Sequence, residues 1–416
     1  MSRFAIGLLI VSLLLLGACR SRTDSTGATS AATQPMATSA PPTVQPAQVP
    51  AEYSQLYQSL SQGLDAWQQS LQQRSATGAT APIFGAHLLV ANANRGTALL
   101  EPSTMTAVDS SLDRLKQLGV QGVTITISFP LFNADQPQAA DYLSFYATVA
   151  RHVRDRGLKL SVEQHVAFSG TPFSSVQFDY TKLPFDQFVA LDHRMSQLIL
   201  DNIQPDFLTL LSEPDTFGSL TGYKQVSTPD GAAAMVGAVL AGLNRGQTKI
   251  GAGAGSWLQN APQYAAAFAR TSIDYIDLHI YPITPATIQV SQAVADAAKS
   301  AGKPVVLDEA WLYKVTGIGG VDQEALQELR DPFSFWAPLD SRYLALLAQF
   351  ARANNVAYVA PFWSTFFWAY VDYGPNTKDL QLAPLQQMTN QAVSQALRDG
   401  TFTDTGKAYS SAISGR

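Results

Sequence analysis

Short runs of β-branched and apolar residues recur along this chain, and longer amphipathic stretches separate them. One such stretch, Met105–Leu118, has its leucines at helical spacing on a single stripe. An alternation of strand-like and helix-like segments predicts repeated βα units and a parallel sheet. The eight predicted strands are Ile83–Val90, Gly122–Ser128, Lys159–Val166, Phe207–Leu211, Lys249–Gly253, Tyr275–Tyr281, Pro304–Glu309 and Ala357–Phe362.

Eight βα units over this length fit a closed (β/α)8 barrel better than an open, doubly wound sheet. No glycine-rich phosphate-binding fingerprint follows the first strand, which further disfavours a dinucleotide-binding fold. The apolar content of 46% is enough to fill a large core. We therefore expect one α/β domain, a TIM barrel over residues 52–416, with an extra N-terminal helix at 53–71 packed outside it.

The N-terminus has the pattern of an export signal. Arg3 precedes an apolar run, Phe4–Leu16, in which Ser12 is the only polar residue; the run is too short to span a bilayer and leads into Gly17, Ala18 and Cys19. A small-residue cleavage site that ends in Cys resembles the lipobox of bacterial lipoproteins, where the thiol is acylated. The resemblance implies a signal peptide over residues 1–19 and a lipid on Cys19. An ordinary signal peptide with an incidental cysteine is the alternative.

Residues 20–51 consist mostly of Ser, Thr, Ala, Gln and Pro, a composition that cannot repay the entropy of ordering. We interpret this segment as a disordered linker between the lipid and the barrel. Arg20 follows the cysteine at a position where lipoproteins retained at the inner membrane often have Asp, and this resemblance favours the outer membrane or the cell surface. The sequence thus predicts an exported protein, anchored to the cell envelope through its lipid.

The composition excludes several other classes of partner and site. Cys19 is the only cysteine, so the exported domain can form neither an intramolecular disulfide nor a thiolate metal site. The formal net charge is −5, and no cluster of Lys and Arg with interleaved aromatic residues occurs, which argues against nucleic acid as a partner. We expect a monomer that uses no cofactor.

Polar residues occur where several of the predicted strands end, and the C-terminal ends of barrel strands are where such enzymes place their active sites. Strand four ends at Ser212, Glu213 and Pro214, and strand seven ends at Glu309. Two carboxyl groups facing each other across the barrel mouth can divide the work of cleaving a glycosidic bond. Asp308 points to the opposite side of strand seven by alternation, so we expect it to be a structural hydrogen-bond acceptor.

These glutamates, the first of them followed by Pro, resemble those of clan A glycoside hydrolases, and the likeness covers the whole barrel. The resemblance implies a retaining hydrolase of β-linked oligo- or polysaccharides, in which Glu213 is the general acid/base and Glu309 the nucleophile. Tyr281 would hydrogen-bond the nucleophile and keep it ionised. Trp363, at the end of strand eight, would form the aromatic floor beneath the sugar at the cleavage point.

Two features depart from the pattern of this clan. The clan usually has Asn before the acid/base, where it binds the 2-hydroxyl of the substrate, whereas this chain has Ser212. The shorter Ser212 side chain predicts that the sugar is held differently, that a neighbouring group substitutes for Asn, or that activity is low. In addition, we find no equivalent of the Arg that many members carry near strand two.

Other polar side chains at the strand ends are candidate substrate ligands. His279 shares a face of strand six with Tyr281 by alternation, which places it near the site. His165 and Gln164 end strand three, and the residue at which that strand ends decides which of the two faces inward. His87, in strand one, is a weaker candidate.

Five tryptophans, namely Trp257, Trp311, Trp336, Trp363 and Trp368, fall just after strands five, seven and eight. Sugar rings present apolar CH faces that flat aromatic side chains bind well, so we expect at least two of these rings to face a cleft. Trp257, Trp311 and Trp363 are the tryptophans that we assign to the substrate. The segment 312–339 is either a lid or a packed insertion.

Two other functions remain open. In a metal-dependent barrel such as a sugar isomerase, Glu163, Glu213, His279 and Glu309 would hold a divalent cation. The Glu-Pro pair, the tryptophans and the lack of a His-x-His pair favour a site without a metal. A lipid-tethered carbohydrate-binding barrel without activity is the second alternative, and Ser212 is the best argument for it. The sugar, its linkage and endo or exo action are left open.

Overall fold

The computed structural model describes residues 48–73, 81–281, 283–314 and 329–415. Its compact unit begins at Val49. The signal peptide, Cys19 and the linker up to residue 47 lie outside the described residues, as does half of the candidate lid, residues 315–328. Within the described part of the chain, no helix has both the length and the apolar character needed to cross a membrane.

Eight parallel strands form one closed barrel in chain order, with the last strand paired to the first. The predicted (β/α)8 fold is thereby confirmed. Strand one ends three residues earlier than predicted because residues 89–91 turn into a short 3-10 helix. The strands are β1 Ile83–His87, β2 Gly122–Phe129, β3 Lys159–Val166, β4 Phe207–Thr209, β5 Lys249–Gly255, β6 Tyr275–His279, β7 Val305–Ala310 and β8 Val356–Pro361.

Helices follow the strands and surround the barrel. Prolines stand in the first turn of several of them, where their missing N–H is not needed, and Gly119, Gly157 and Gly302 end α2, α3 and α8 in the left-handed conformation. The helices are α1 Ser54–Gln72, α2 Pro102–Gln117, α3 Ala139–Asp155, α4 Phe185–Asn202, α5 Pro214–Thr221, α6 Pro229–Leu240, α7 Ala261–Ala269, α8 Pro285–Ser300, α9 Ala337–Ala353, α10 Leu382–Asp399 and α11 Asp404–Ser414.

The extra N-terminal helix is present as α1 and packs outside the barrel against α9. Its Trp67 is buried, and the ring centroids of Tyr343 and Phe350 lie 5.5 and 6.0 Å from that of Trp67. Tyr57 stacks on Trp336 at 5.7 Å. These aromatic contacts join α1 to the helix that precedes β8.

Large side chains fill the N-terminal end of the barrel, where Phe207, Tyr275 and Tyr358 form one cluster. The neighbouring strands leave space for them by carrying glycine. A Cβ atom on Gly85 would overlap the Tyr358 phenol, and one on Gly251 would overlap the Tyr275 ring. This aromatic plug closes the barrel below the level of the strand ends.

Above the plug, the barrel interior is polar and centres on Asp308 of β7. The carboxyl group of Asp308 accepts hydrogen bonds from Ser161 at 2.6 Å, Thr209 at 2.5 Å and Thr124 at 3.4 Å, which belong to three other strands. Asp308 is therefore the structural hydrogen-bond acceptor that we expected. The predicted direction of its side chain was wrong, since it points into the barrel. The β7 pairing with β8 gains one extra residue between Leu307 and Ala310, and this bulge lets consecutive side chains both face the interior.

Replacing Asp308 by Asn should make the free energy of unfolding less dependent on pH. Burial, together with the charge of nearby Asp277, raises the pKa of Asp308 to about 7 from an ordinary value of 3.8. The folded protein consequently binds more protons than the unfolded chain between these two values, and its stability falls as the pH rises through that window. A neutral amide removes this contribution, as urea unfolding at each end of the window would show.

The matched control for this measurement is Asp135→Asn at an exposed position, which should keep the pH dependence of the wild type. If Asp308→Asn and the wild type lose equal stability between about pH 4 and about pH 7, then Asp308 is ionised in the folded protein and the assignment is wrong.

Candidate active site

Two glutamates meet at the C-terminal mouth of the barrel. Glu213 lies four residues after the end of β4, at the N-cap position of α5, which begins at Pro214. Glu309 is the second-last residue of β7. An oxygen of each carboxyl group and a ring nitrogen of His279 lie within 4.8 Å of one another. The two glutamate side chains are 11% and 13% exposed, so both reach the open mouth.

Tyr281 follows β6 and donates a hydrogen bond from its hydroxyl group to Glu309 Oε2 at 2.5 Å. This is the contact that the resemblance implied for the nucleophile. Burial raises the pKa of Tyr281 well above its usual range, and the charge of Glu309 raises it further, so the phenol stays protonated and acts as a donor. A hydrogen bond donated to a carboxylate favours its ionised form.

His279, the last residue of β6, lies beneath the glutamates and has no exposed surface. Its Nδ1 atom is 2.8 Å from Glu213 Oε1, and its Nε2 atom is 3.2 Å from Asp277 Oδ2 and 3.6 Å from Glu163 Oε1. The prediction that His279 lies near the site is correct, but its assignment as a substrate ligand is wrong for this geometry. The imidazole contacts the acid/base candidate and has no face open to the mouth.

The carboxyl groups around His279 set its charge. Burial lowers its pKa, but the charges of Asp277 and Glu163 outweigh burial and hold the pKa well above the ordinary value of 6.5. Burial likewise raises the pKa of Glu213, while the hydrogen bond from His279 and its charge lower that pKa by more, so the net direction is down. These directions favour an imidazolium next to an ionised Glu213.

Glu163 of β3 is a third carboxyl group of the site, with only 1% of its surface exposed. Its Oε1 accepts a hydrogen bond from Ser212 Oγ at 2.6 Å, and one of its carboxyl oxygens lies within 4.8 Å of an oxygen of Glu309. Burial raises the pKa of Glu163, but the charges of His279 and His165 lower it by more, so the net direction is down. Burial, followed by the charge of Glu163, raises the pKa of Glu309 well above its usual range.

Ser212 was predicted to bind the substrate, but the structure gives its hydroxyl group another partner. The side chain is 1% exposed and donates its hydrogen bond to Glu163. The hydroxyl group of Ser212 thus holds the carboxyl group of Glu163. At this position the chain lacks the Asn side chain that binds the substrate 2-hydroxyl in the resembled clan.

The two candidates at the end of β3 face different ways. Gln164 is 2% exposed and points outward, where its Nε2 donates to Asp192 Oδ1 at 2.6 Å and its Oε1 accepts from Ser196, both on α4. The prediction of Gln164 as a substrate ligand is therefore wrong, because its amide is turned towards α4 and away from the mouth. His165 is half-buried at the rim, with its ring stacked on Phe168 at 5.4 Å.

Two of the predicted tryptophans stand at the mouth. Trp257 is partly exposed, lies 6.0 Å from the Tyr281 ring, and donates its indole N–H to Asp215 Oδ2 at 2.8 Å. Trp363 is also partly exposed and packs edge-on against Phe362 at 5.0 Å. Both rings are thus partly open to solvent, and their contact with a substrate stays a prediction.

The other tryptophans belong to the core, which corrects the assignment of Trp311 to the substrate. Trp311 and Trp336 have no exposed surface, and Trp368 is 5% exposed. The Trp311 ring packs against Phe366 and Phe367 at 5.9 and 6.4 Å, in the layer behind β8. A ring enclosed in this way offers no face to a sugar.

The described ends of the candidate lid are packed parts of the protein. Lys314 is fully buried, and its Nζ atom lies 2.6 Å from an oxygen of Asp331 and 2.6 Å from an oxygen of Asp340. The ion pair with Asp331 joins the two sides of the segment 315–328, and the pair with Asp340 ties both sides to α9. Residues 315–328 themselves lie outside the described residues.

Sequence reasoning missed three side chains at the site. Asp277 stands two residues before His279, and the same alternation that selected His279 could have found it. Tyr313 lies 5.6 Å from Tyr281, and Phe362 lies 4.7 Å from His87. No local pattern distinguishes these two aromatic residues from core residues, because their partners belong to other strands.

Closely spaced carboxyl and imidazole groups also raise the question of a metal ion. Two groups of three described residues have ligand atoms within 4.8 Å of one another, namely His87, Glu163 and Glu309, and Glu213, His279 and Glu309. However, both ring nitrogens of His279 already face carboxyl groups. That environment suits a doubly protonated donor, whereas a metal ligand needs a nitrogen lone pair.

Comparisons with solved structures reproduce this fold. A GH5_18 protein from Streptomyces cattleya in complex with GlcNAc has a TM-score of 0.53 at 15% identity, covering 81% of this chain and 80% of that one. A GH5_18 variant from Bifidobacterium longum subsp. longum in complex with Manβ1-4GlcNAc has a TM-score of 0.51 at 14% identity, covering 80% and 78%. An exo-β-1,4-mannosidase from an Opitutaceae bacterium has a TM-score of 0.50 at 17% identity, covering 78% and 61%.

No family model matches the sequence, and no curated protein matches it. The likeness to the solved structures extends over most of the chain at low identity. It establishes that this chain shares the barrel fold of GH5 glycoside hydrolases. These proteins belong to clan A, whose pattern the strand-end glutamates resemble.

The two buried histidines should differ in charge at neutral pH. His279 should remain doubly protonated at neutral pH because its pKa is raised, while burial lowers the pKa of His87 to about 4 and keeps that ring neutral. A ¹⁵N NMR titration of the imidazole nitrogens would measure both. His279→Gln and His87→Gln variants would assign the signals, and a His279 ring that loses its proton at or below its ordinary pKa would contradict the proposed charge state.

Proposed function

We propose that this chain is a retaining glycoside hydrolase that cleaves β-linked oligo- or polysaccharides. The spacing of Glu213 and Glu309 carries the proposal, because one oxygen of each lies within 4.8 Å of the other at the barrel mouth. Retaining glycosidases hold their two carboxyl groups about 5 Å apart, while inverting enzymes need roughly 7 Å or more to admit a water molecule. The spacing thus supports a covalent, double-displacement mechanism.

In the first step, a carboxylate oxygen of Glu309 attacks the anomeric carbon and the glycosidic C–O bond breaks. Glu213 gives a proton to the departing oxygen, so the leaving sugar is released as an alcohol. In the second step, Glu213 takes a proton from water, which attacks the same carbon and displaces Glu309. The two displacements together restore the original anomeric configuration.

Glu309 must be ionised to attack. Tyr281 donates a hydrogen bond to it, and the positive charge of His279, 3.7 Å away, lowers its pKa. Burial and Glu163 act in the opposite direction. The net direction is upward, so Glu309 has to lose a proton before it attacks.

The aromatic side chains at the mouth suit a sugar ligand. Trp257, Tyr313 and Trp363 are partly exposed, and sugars stack their CH faces on such rings. The structures that share the fold include proteins bound to GlcNAc and to Manβ1-4GlcNAc, and an exo-β-1,4-mannosidase. A substrate panel should for this reason include β-mannosides, β-glucosides and N-acetyl-β-glucosaminides.

Replacing either glutamate by Ala should abolish hydrolysis by the full-length protein in detergent. Loss of the general acid alone should lower kcat/KM for an aryl glycoside by roughly 10²- to 10⁴-fold. Azide should restore turnover of Glu213→Ala and yield a glycosyl azide, because a small anion can attack the glycosyl-enzyme without a general base. With Glu309→Ala, azide should not restore turnover to a product that keeps the anomeric configuration of the substrate.

Asp155→Ala is the control, because this exposed residue ends α3, where the chain turns back to enter β3 at the opposite end of the barrel, and it should keep full activity. All assays should contain EDTA. Activity that EDTA removes would instead indicate a metal-dependent barrel, and carbohydrate binding without cleavage would indicate an inactive binding protein. Hydrolysis that survives in Glu309→Ala would exclude the proposed nucleophile.

We also propose that a lipid on Cys19 tethers the enzyme to the cell envelope. The proposal rests on the apolar run, the Gly-Ala-Cys sequence and the polar residues that follow. Polysaccharides cannot cross a membrane, so an envelope location suits this activity. Cys19→Ala should move the protein from the membrane fraction to the soluble fraction and abolish incorporation of labelled palmitate, while Ser21→Ala should change neither. A membrane-bound, labelled Cys19→Ala variant would contradict the tether.

A further inference from the structure

The proposed reaction uses two carboxyl groups, yet more acidic groups are buried beneath the mouth. Asp277 of β6 has no exposed surface. Its Oδ1 accepts the backbone N–H of Asp308 at 3.2 Å, and its Oδ2 lies 3.2 Å from His279 Nε2. No side chain other than His279 forms an ion pair with Asp277 within the described part of the chain.

We propose that Asp277 is a positioning residue that acts through His279, and that His279 supplies the proton which Glu213 passes to the leaving oxygen. The inference rests on the proposed hydrolase function and extends it by naming the source of the proton. The three groups form a continuous chain from the mouth inward, in which Glu213 contacts His279 Nδ1 and Asp277 contacts His279 Nε2.

The placement of the imidazole supports this role. Its Nδ1 atom can donate a hydrogen bond to Glu213 Oε1 at 2.8 Å, and its Nε2 atom lies at the ion-pair distance of 3.2 Å from Asp277 Oδ2 without the geometry of a hydrogen bond. Because the ring has no exposed surface, the hydrogen-bonded Glu213 is the group that links Nδ1 to the mouth. The titratable side chains that face the ring are His87, Glu163, Glu213, Asp277, Tyr281 and Glu309.

The excess of acidic groups around one base explains why His279 keeps its second proton. Glu163 and Asp277 both lie on the Nε2 side, at 3.6 and 3.2 Å. His87 adds no positive charge there, since burial lowers its pKa to about 4. A buried carboxylate is costly unless it is paired, and for Asp277 the paired group is the imidazolium of His279.

Protons balance over the two steps. As the glycosidic C–O bond breaks, the ionised Glu213 takes the Nδ1 proton of His279 and passes it to the leaving oxygen, so that His279 becomes neutral and keeps its Nε2 proton. In the second step, water loses a proton to Glu213, which returns one to Nδ1. The site thus ends with the imidazolium restored and no net change in charge.

A leaving-group comparison in the full-length protein tests the role of Asp277. A dinitrophenyl glycoside needs no proton to depart, whereas a methyl or phenyl glycoside of the same sugar needs one. Asp277→Asn should lower kcat/KM at least about 10-fold for the methyl or phenyl glycoside, as part of the effect of a general acid, and leave the dinitrophenyl glycoside almost unchanged. The activity of Asp277→Asn should also be lost at a lower pH on the basic side.

Asp308→Asn is the matched control, because it removes a buried carboxyl group of the same barrel interior that has no ion pair with His279. Any loss that it causes should be equal for both glycosides. An equal loss for both glycosides in Asp277→Asn would overturn the proposal, since it would show a structural role only. If Asp277→Asn does not fold, His279→Gln must show the same selective loss, or the proposal fails.

The azide experiment separates this inference from the proposed function. If azide restores Glu213→Ala while Asp277→Asn and His279→Gln show no leaving-group dependence, the hydrolase function stands and the role of Asp277 is excluded. If the wild type cleaves no glycoside of the panel, both proposals fail.

Discussion

The pairing of one buried imidazole with several buried carboxyl groups is the interaction on which the mouth of this barrel depends. Carboxyl groups of Glu163, Glu213, Asp277 and Glu309 approach His279 to within 3.7 Å. Burial penalises each charge, and like charges at such distances cannot all persist. The imidazolium relieves this repulsion, which is why the pKa of Glu213 falls while that of Glu309, nearer Glu163, rises.

The support for this cluster comes from an unusually polar barrel interior. TIM barrels are generally filled by layers of branched aliphatic side chains. Here an aromatic plug closes the lower end, and hydroxyl groups of Thr124, Ser161 and Thr209 converge on Asp308 above it. Directional hydrogen bonds hold the layer below the mouth, so the glutamates rest on a fixed base. The β7 bulge completes this arrangement by directing Asp308 and Glu309 into the same interior.

The sequence departs from the clan that it resembles at two positions. Many members carry an Arg near strand two, for which we find no equivalent, and many have Asn where this chain has Ser212. The Ser212 hydroxyl group is hydrogen-bonded to Glu163, which also lies near Glu309. Tyr281 and His279 are the partners that favour an ionised Glu309.

Periodicity in the sequence determined the eight strands, the helices between them and the strand ends that carry Glu213, His279, Tyr281 and Glu309, because these depend on local alternation along the chain. Tertiary structure alone decided the directions of side chains whose partners are distant in sequence. Gln164 faces a helix and Trp311 faces the core because the rotation of each strand end depends on its neighbours. The contact of Glu163 with His279, and the inward turn of Asp308 at a bulge, likewise arise only when the barrel closes, since closure brings together groups from different strands.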